Sequence, residues 1–220
     1  MVWHGKRTAR TALVAIGLGL VLAAVPTMAG AAPALNVVVS ANPANFTPNV
    51  ASGAVYKFVQ LGGTMYAGGS FGSVSTAPGV SPGGTFTRNN IVAFDPASGV
   101  IRSFAPNVAG EVWALASNGT SLYVGGTFAT VNGVARRGVA KLDPGTGAVV
   151  SAFNANLASG RVTDAAVVGG RLLVAGTFPG KLRALNLASG ANTGAPTGGF
   201  TAVLLKRGRF EVGTTLASAT

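Results

Sequence analysis

Apolar and polar residues alternate along this chain in short runs, each ended by turn formers. Between Val112 and Leu157 it reads VWALASNG, SLYVGGTFATVNG, RGVAKLDPGTG and AVVSAFNANL. Each segment is rich in Val, Leu, Ala and aromatics, which fit a half-buried pleated surface. Each of the first three ends in Asn-Gly or Asp-Pro-x-Thr-Gly, which supply left-handed or proline-fixed backbone. The pattern predicts four strands. Beyond the N-terminal segment no stretch carries apolar residues at helical spacing with caps, and 33 glycines in 220 residues argue against long helices.

The four-segment unit repeats. MYAGGSF (Met65 to Phe71), LYVGGTF (Leu122 to Phe128) and LLVAGTF (Leu172 to Phe178) are one motif, and AFDPASG (Ala93 to Gly99), KLDPGTG (Lys141 to Gly147) and the weaker LNLASG (Leu185 to Gly190) are a second. A third is FTPNV (Phe46 to Val50), FAPNV (Phe104 to Val108) and FNANL (Phe153 to Leu157). A phosphate-cradling loop occurs once per site, whereas these glycines occur once per structural unit, so they are packing devices. They are expected to permit a close backbone approach or a bulge near the axis, with the following phenylalanine filling the space between units.

Units of roughly 45 to 55 residues and four strands, joined in series, are what a β-propeller requires. The expected division is a blade over 55–111, a second over 112–161, a more degenerate third over 162–200, and a partial fourth over 201–220. The fourth is recognised because GRFEVGTTL (Gly208 to Leu216) aligns with GRLLVAGTF (Gly170 to Phe178). The segment 32–54 carries FTPNV, which looks like an outermost strand without its blade and could in principle complete the last one as a closure strap. The fold class is therefore all-β, a propeller of four-stranded blades. Its ring reads as incomplete, the front of a longer propeller or else a minimal, poorly closed one.

LYVGGTF combined with an LDPxTG turn resembles the secreted actinobacterial repeat propellers, relatives of the kelch and YVTN types, over essentially all of 32–220. AFDPASG and KLDPGTG are also similar to the AxDxxTG part of quinoprotein-dehydrogenase repeats, but the tryptophan that closes that motif is missing and Phe104 and Phe153 stand nearby instead. The resemblance implies shared blade geometry and not a quinone cofactor.

Residues 1–31 read as a signal peptide. Lys6, Arg7 and Arg10 precede an uncharged, largely apolar run to Val25, and Ala29 and Ala31 form a small-x-small cleavage site. The run is short for a stable span of roughly 20 residues; an uncleaved anchor is the alternative. Cleavage removes the only histidine, His4, and the chain has no cysteine, so the exported part builds its core without disulfides. The expected location is extracellular, in association with the cell wall, with no membrane contact after cleavage. The formal charge of +11 is spread mostly as single residues rather than as a basic stripe with aromatics, which argues against nucleic acid and leaves a mild attraction to anionic wall polymers.

This inventory excludes histidine-based triads, cysteine nucleophiles, thiolate zinc sites and histidine-ligated copper beyond residue 31. No DxDxDG run offers calcium a site, and no cofactor or metal is expected. Five acids remain. Asp95 and Asp143 occupy equivalent turns and are expected to cap backbone N–H groups; Glu211 lies in the degenerate tail. Glu111 and Asp164, beside the starts of first strands in adjacent units, are the remaining catalytic candidates, as a carboxylate pair for glycan hydrolysis or elimination.

Tyr56, Trp113 and, more weakly, Thr163 each follow the valine that opens a first strand, where an exposed ring can stack on a sugar or pack between blades. Arg88, Arg136 and Arg137 lie near strand starts and complete the binding candidates. Ser75 to Asn90 lengthens the first unit and is a candidate contact loop. The sequence thus supports a secreted, non-enzymatic interaction module for an extracellular polysaccharide or a protein partner, with self-association or further chain completing it. The alternative is a secreted propeller hydrolase or lyase using Glu111 and Asp164.

Overall fold

A computed structural model describes residues 46–194 and the strands Val203–Lys206 and Arg209–Val212; the leader 1–31, the remainder up to residue 45 and most of the tail lie outside the described residues. In chain order the strands are β1 (Asn49–Val50), β2 (Ala54–Leu61), β3 (Thr64–Ser70), β4 (Ser73–Ser75), β5 (Thr85–Thr87) and β6 (Ile91–Phe94). They continue with β7 (Val112–Ser117), β8 (Leu122–Gly126), β9 (Thr130–Val131), β10 (Val134–Ala135) and β11 (Val139–Leu142). The last are β12 (Val162–Val168), β13 (Arg171–Gly176), β14 (Leu182–Asn186), β15 (Val203–Lys206) and β16 (Arg209–Val212). The described residues hold no helix.

The chain is an all-β protein of propeller type, and its repeats fold as three equivalent antiparallel sheets, β2-β3-β6, β7-β8-β11 and β12-β13-β14. The expected fourth strand of each blade is reduced to a single bridge, Phe94 with Ile101, Leu142 with Val149, and Leu185 with Asn192. It is short because in the first two blades Phe104 and Phe153, three and four residues after the bridge, turn into the core with 1% and 0% exposure. The tail pairs β15 with β16 as an antiparallel hairpin, Leu204 opposite Glu211.

The Asp-Pro turns behave as the sequence predicts. Asp143 Oδ1 accepts the Gly145 and Thr146 N–H groups at 3.0 and 2.7 Å, Asp95 Oδ1 those of Ala97 and Ser98, and in the third blade Asn186 Oδ1 does the same for Ala188 and Ser189. These bonds hold the carboxyl groups of Asp95 and Asp143 below the usual range, led by the Ser98 N–H in the first and the Thr146 N–H in the second.

The repeated glycines stand on the middle strand of each sheet, as a pair in the first two and as Gly176 after Ala175 in the third, and each has its own steric reason. A Cβ on Gly68 would fall inside the Val112 side chain of the next blade, and one on Gly125 would stand 2.7 Å from Val162 Cγ1. The first glycine is therefore the socket for the following blade's valine. A Cβ on the second, Gly69, Gly126 or Gly176, would collide with a carbonyl oxygen of the neighbouring first strand, that of Ala54, Glu111 or Arg161. That carbonyl is pushed inward by a bulge: the pairing slips between Val55 and Lys57, between Val112 and Ala114, and between Val162 and Asp164. The extra residue in each case is Tyr56, Trp113 or Thr163.

Between the first two blades Tyr66, Ile91 and Ala93 pack against Leu115, Val124 and Leu142; between the next two Tyr123 and Val139 pack against Leu172, Val174 and Leu185. Each tyrosine reaches over to the next blade, Tyr66 Oη donating to Pro144 O at 2.7 Å and Tyr123 Oη to Leu187 O at 3.0 Å. Each also meets a phenylalanine edge to face, Phe104 and Phe153. Burial raises the pKa of both phenols.

Two further elements differ from expectation. FTPNV does not strap the last blade: Val50 pairs with Val74, so β1 joins β4 and β5 in a small sheet on the first blade's own arm. The Ser75 to Asn90 insertion is the far half of that arm rather than a free loop, because Thr85–Thr87 returns antiparallel to Ser73–Ser75. The second blade carries the short form of the same arm, β9 and β10 joined by Asn132 and Gly133 at φ 51° and 77°, which is the two-residue turn that Asn-Gly favours.

Candidate functional site

The three bulges place their extra residues side by side at the start of the first strands, with β7 packed between β2 and β12. Tyr56 stacks on Trp113 with ring centroids 4.3 Å apart and planes 19° from parallel. The guanidinium of Arg161, the residue ahead of β12, lies 5.0 Å from the Trp113 ring centre. Glu111 Oε2 accepts the Trp113 indole N–H at 2.9 Å. The two rings and Glu111 are half-buried, and Arg161 is exposed.

Asp164, 3% exposed, accepts Lys57 Nζ at 2.8 Å across the 107 residues that separate the first blade from the third. Ala114 holds the equivalent position in the blade between. Of the sequence candidates, Tyr56, Trp113 and Glu111 thus come together in one cluster, and the buried Asp164 is held in an ion pair by the half-buried Lys57, the residue after Tyr56. Among the described residues no group of three acids or other metal-binding side chains gathers.

Arg88 and Arg136 lie elsewhere and are packed rather than presented, each 8% exposed. Both bond the carbonyl of the preceding residue, Thr87 or Ala135, and a carbonyl of the turn beyond the third strand, Arg102 or Ser151, at 2.8–3.0 Å. They tie each arm to its blade; burial lowers the Arg88 pKa. Arg137 is exposed, and its Nη1 donates to Ala158 O at 2.7 Å on the rim of a cleft of about 430 Å³ that also touches Thr130, Asn156 and Leu157.

Lys57 and Arg161 were not legible as site residues from single motifs. Their signal is in the register: Ala54, Glu111 and Arg161 precede the valine, then come Tyr56, Trp113 and Thr163, then Lys57, Ala114 and Asp164. Positions that differ in chemistry on an otherwise constant unit mark the surface that the scaffold leaves free to vary.

No family model matches the sequence, and the comparison with curated proteins returns no match. Among solved structures the chain is similar to one described as the crystal structure of BamB from Moraxella catarrhalis, with a TM-score of 0.39 and 17% sequence identity. The alignment covers 66% of this chain and 38% of that one, so this chain spans well under half of that protein's length.

Proposed function

We propose that this chain is a secreted, non-enzymatic propeller that acts as a binding module for an extracellular or wall polysaccharide or a protein partner. The observation that carries the reading is how the two candidate acids are engaged. A glycosidase needs one carboxyl group to protonate the leaving oxygen and a second to attack or to activate water. Here Asp164 is buried against Lys57, and Glu111 holds the Trp113 indole in place. What the first-strand ends present outward is an aromatic and cationic rim. A sugar ring stacking on Trp113 would compete with Tyr56 and Arg161, so contacts from Arg161 and the exposed parts of the rings suit an anionic polymer or a protein surface better than a stacked neutral sugar.

The test is to incubate the exported protein with insoluble wall polysaccharides and a panel of glycosides, and to measure retention and turnover together. Retention without turnover, weakened about tenfold by Trp113→Ala, is the expected result, equivalent to about 1.4 kcal/mol. Turnover that Glu111→Gln abolishes would replace this reading with the hydrolase. Export itself predicts an intact mass beginning at Ala32; a cell-held species that keeps Met1 would remove the secreted part of the proposal.

A further inference from the structure

In the first two blades the segment ahead of the first strand is paired with a hairpin arm, and in the third blade no described strand takes the same seat. In the first, β1 pairs with β4, Val50 opposite Val74. In the second, Val108 bridges Val131, Asn107 O accepts the Asn132 N–H at 2.8 Å, and the Ala109 N–H donates to Thr130 O at 3.1 Å. In the third blade the segment is Asn156, Leu157 and Ala158, which aligns in sequence with Asn107, Val108 and Ala109; Asn156 stands at φ 44° with its N–H on Asn154 Oδ1 at 3.1 Å, so an incoming strand has to turn this residue extended as it pairs. Leu157 is buried as Val108 is, while Asn156 and Ala158 are exposed, and neither Asn156 O nor the Ala158 N–H has a hydrogen-bond partner among the described residues.

The third blade has no arm to offer. Phe178 turns directly into β14, with the Lys181 N–H on Phe178 O at 2.9 Å. The result is the cleft of about 430 Å³ between this bare backbone edge and the second blade's arm, with Arg137 already bonded to Ala158 O at its side.

We infer that the cleft receives an extended strand of a partner protein, which pairs its backbone with Asn156 and Ala158 and sets a β-branched apolar residue opposite Leu157. The chemistry of the occupant is read from the seats already filled, where Val74 and Val131 take that position. Backbone pairing supplies the affinity, and the pocket beside Leu157 supplies the choice of side chain, as in other strand-addition sites. The inference rests on the reading of this chain as a binding module, but it concerns residues that the aromatic rim does not share.

The probe is the peptide ATVNGVAR, the chain's own sequence from Ala129 to Arg136, added to the full chain and followed by amide exchange and NMR titration. The expected result is slowed exchange at the Ala158 N–H with shifts confined to 154–158 and Arg137. N-methylation of the peptide asparagine, which removes the donor to Asn156 O, should weaken binding about tenfold. A chain in which TVNGVA replaces Pro179 to Lys181 should bind no peptide. Absence of binding at millimolar peptide, equal binding of the methylated peptide, or shifts centred elsewhere would overturn the inference. So would slow exchange at Ala158 in the chain alone, which would mean that the chain fills its own seat. Retention on polysaccharide is measured apart from this, so each reading can fail without the other.

Discussion

Gly126 has no room for a methyl group, because a Cβ there would meet the Glu111 carbonyl oxygen that the Trp113 bulge drives inward. The clash is with backbone, and neither partner can rotate away. Gly126→Ala is therefore expected to cost about 3 kcal/mol or more in urea unfolding, within the range of severe backbone effects. Gly145→Ala is the control: its Cβ would sit 3.5 Å from Asp143 Oδ1, an ordinary contact, and should change stability by less than about 0.5 kcal/mol. The turn aspartates make a second prediction at this scale. Their folded pKa values lie below the unfolded value of about 3.9, so their contribution is present above that value and is lost as pH falls through the lower, folded one. Asn186 performs the same capping without a charge. A chain carrying Asp95→Asn and Asp143→Asn should keep its turns and show a flatter loss of stability below about pH 4. An unchanged acid limb would show that other groups govern it.

At the scale of the elements, the blades are joined by parts that recur and distinguished by parts that do not. The recurring ones were legible: alternation gave the strands, the Asn-Gly and Asp-Pro turns gave their ends, and the GGTF repeat gave the unit. The fourth strand was misjudged because AVVSAFNANL alternates well enough for a strand, yet the demand of Phe153 for the space between blades overrides local propensity. The place of FTPNV was left open for a related reason. Its sequence records the kind of seat it needs but not which arm offers one, and pairing with β4 is a tertiary choice. The rim was half legible. Tyr56, Trp113 and Glu111 were visible as unusual residues at strand starts, while Lys57 and Arg161 became meaningful only once the bulges brought three blades into register. The buried arginines mark the limit of charge as a guide to exposure. Arg136→Ala removes two charge-assisted bonds that hold the arm, and is expected to cost about 2–3 kcal/mol. Arg137→Ala, at an exposed neighbour, should stay within about 0.5 kcal/mol in the same thermal melts.

At the scale of the described molecule, each blade has a face that receives the blade before it, and the first blade's receiving face is bare. Phe58 lies opposite Ala67 just as Leu115 lies opposite Val124 and Ala165 opposite Val174, so the three occupy one position in three blades. Leu115 is 2% exposed and Ala165 7%, whereas Phe58 is 57% exposed. Beside Phe58 a shallow apolar groove of about 180 Å³ runs over Val50, Val55, Val74 and Phe94. Position in the repeat therefore does not set the energetic worth of a side chain; what packs against it does. Leu115→Ala should cost about 2–5 kcal/mol, because it empties a site enclosed by two blades. Phe58→Gln should leave chemical unfolding within roughly 0.5 kcal/mol of the parent and lower retention on a hydrophobic column, because it removes an exposed ring and no buried contact. A large destabilisation by Phe58→Gln in the full chain would mean that this face is covered in solution, and the receiving face of the first blade would then be an interior like the other two.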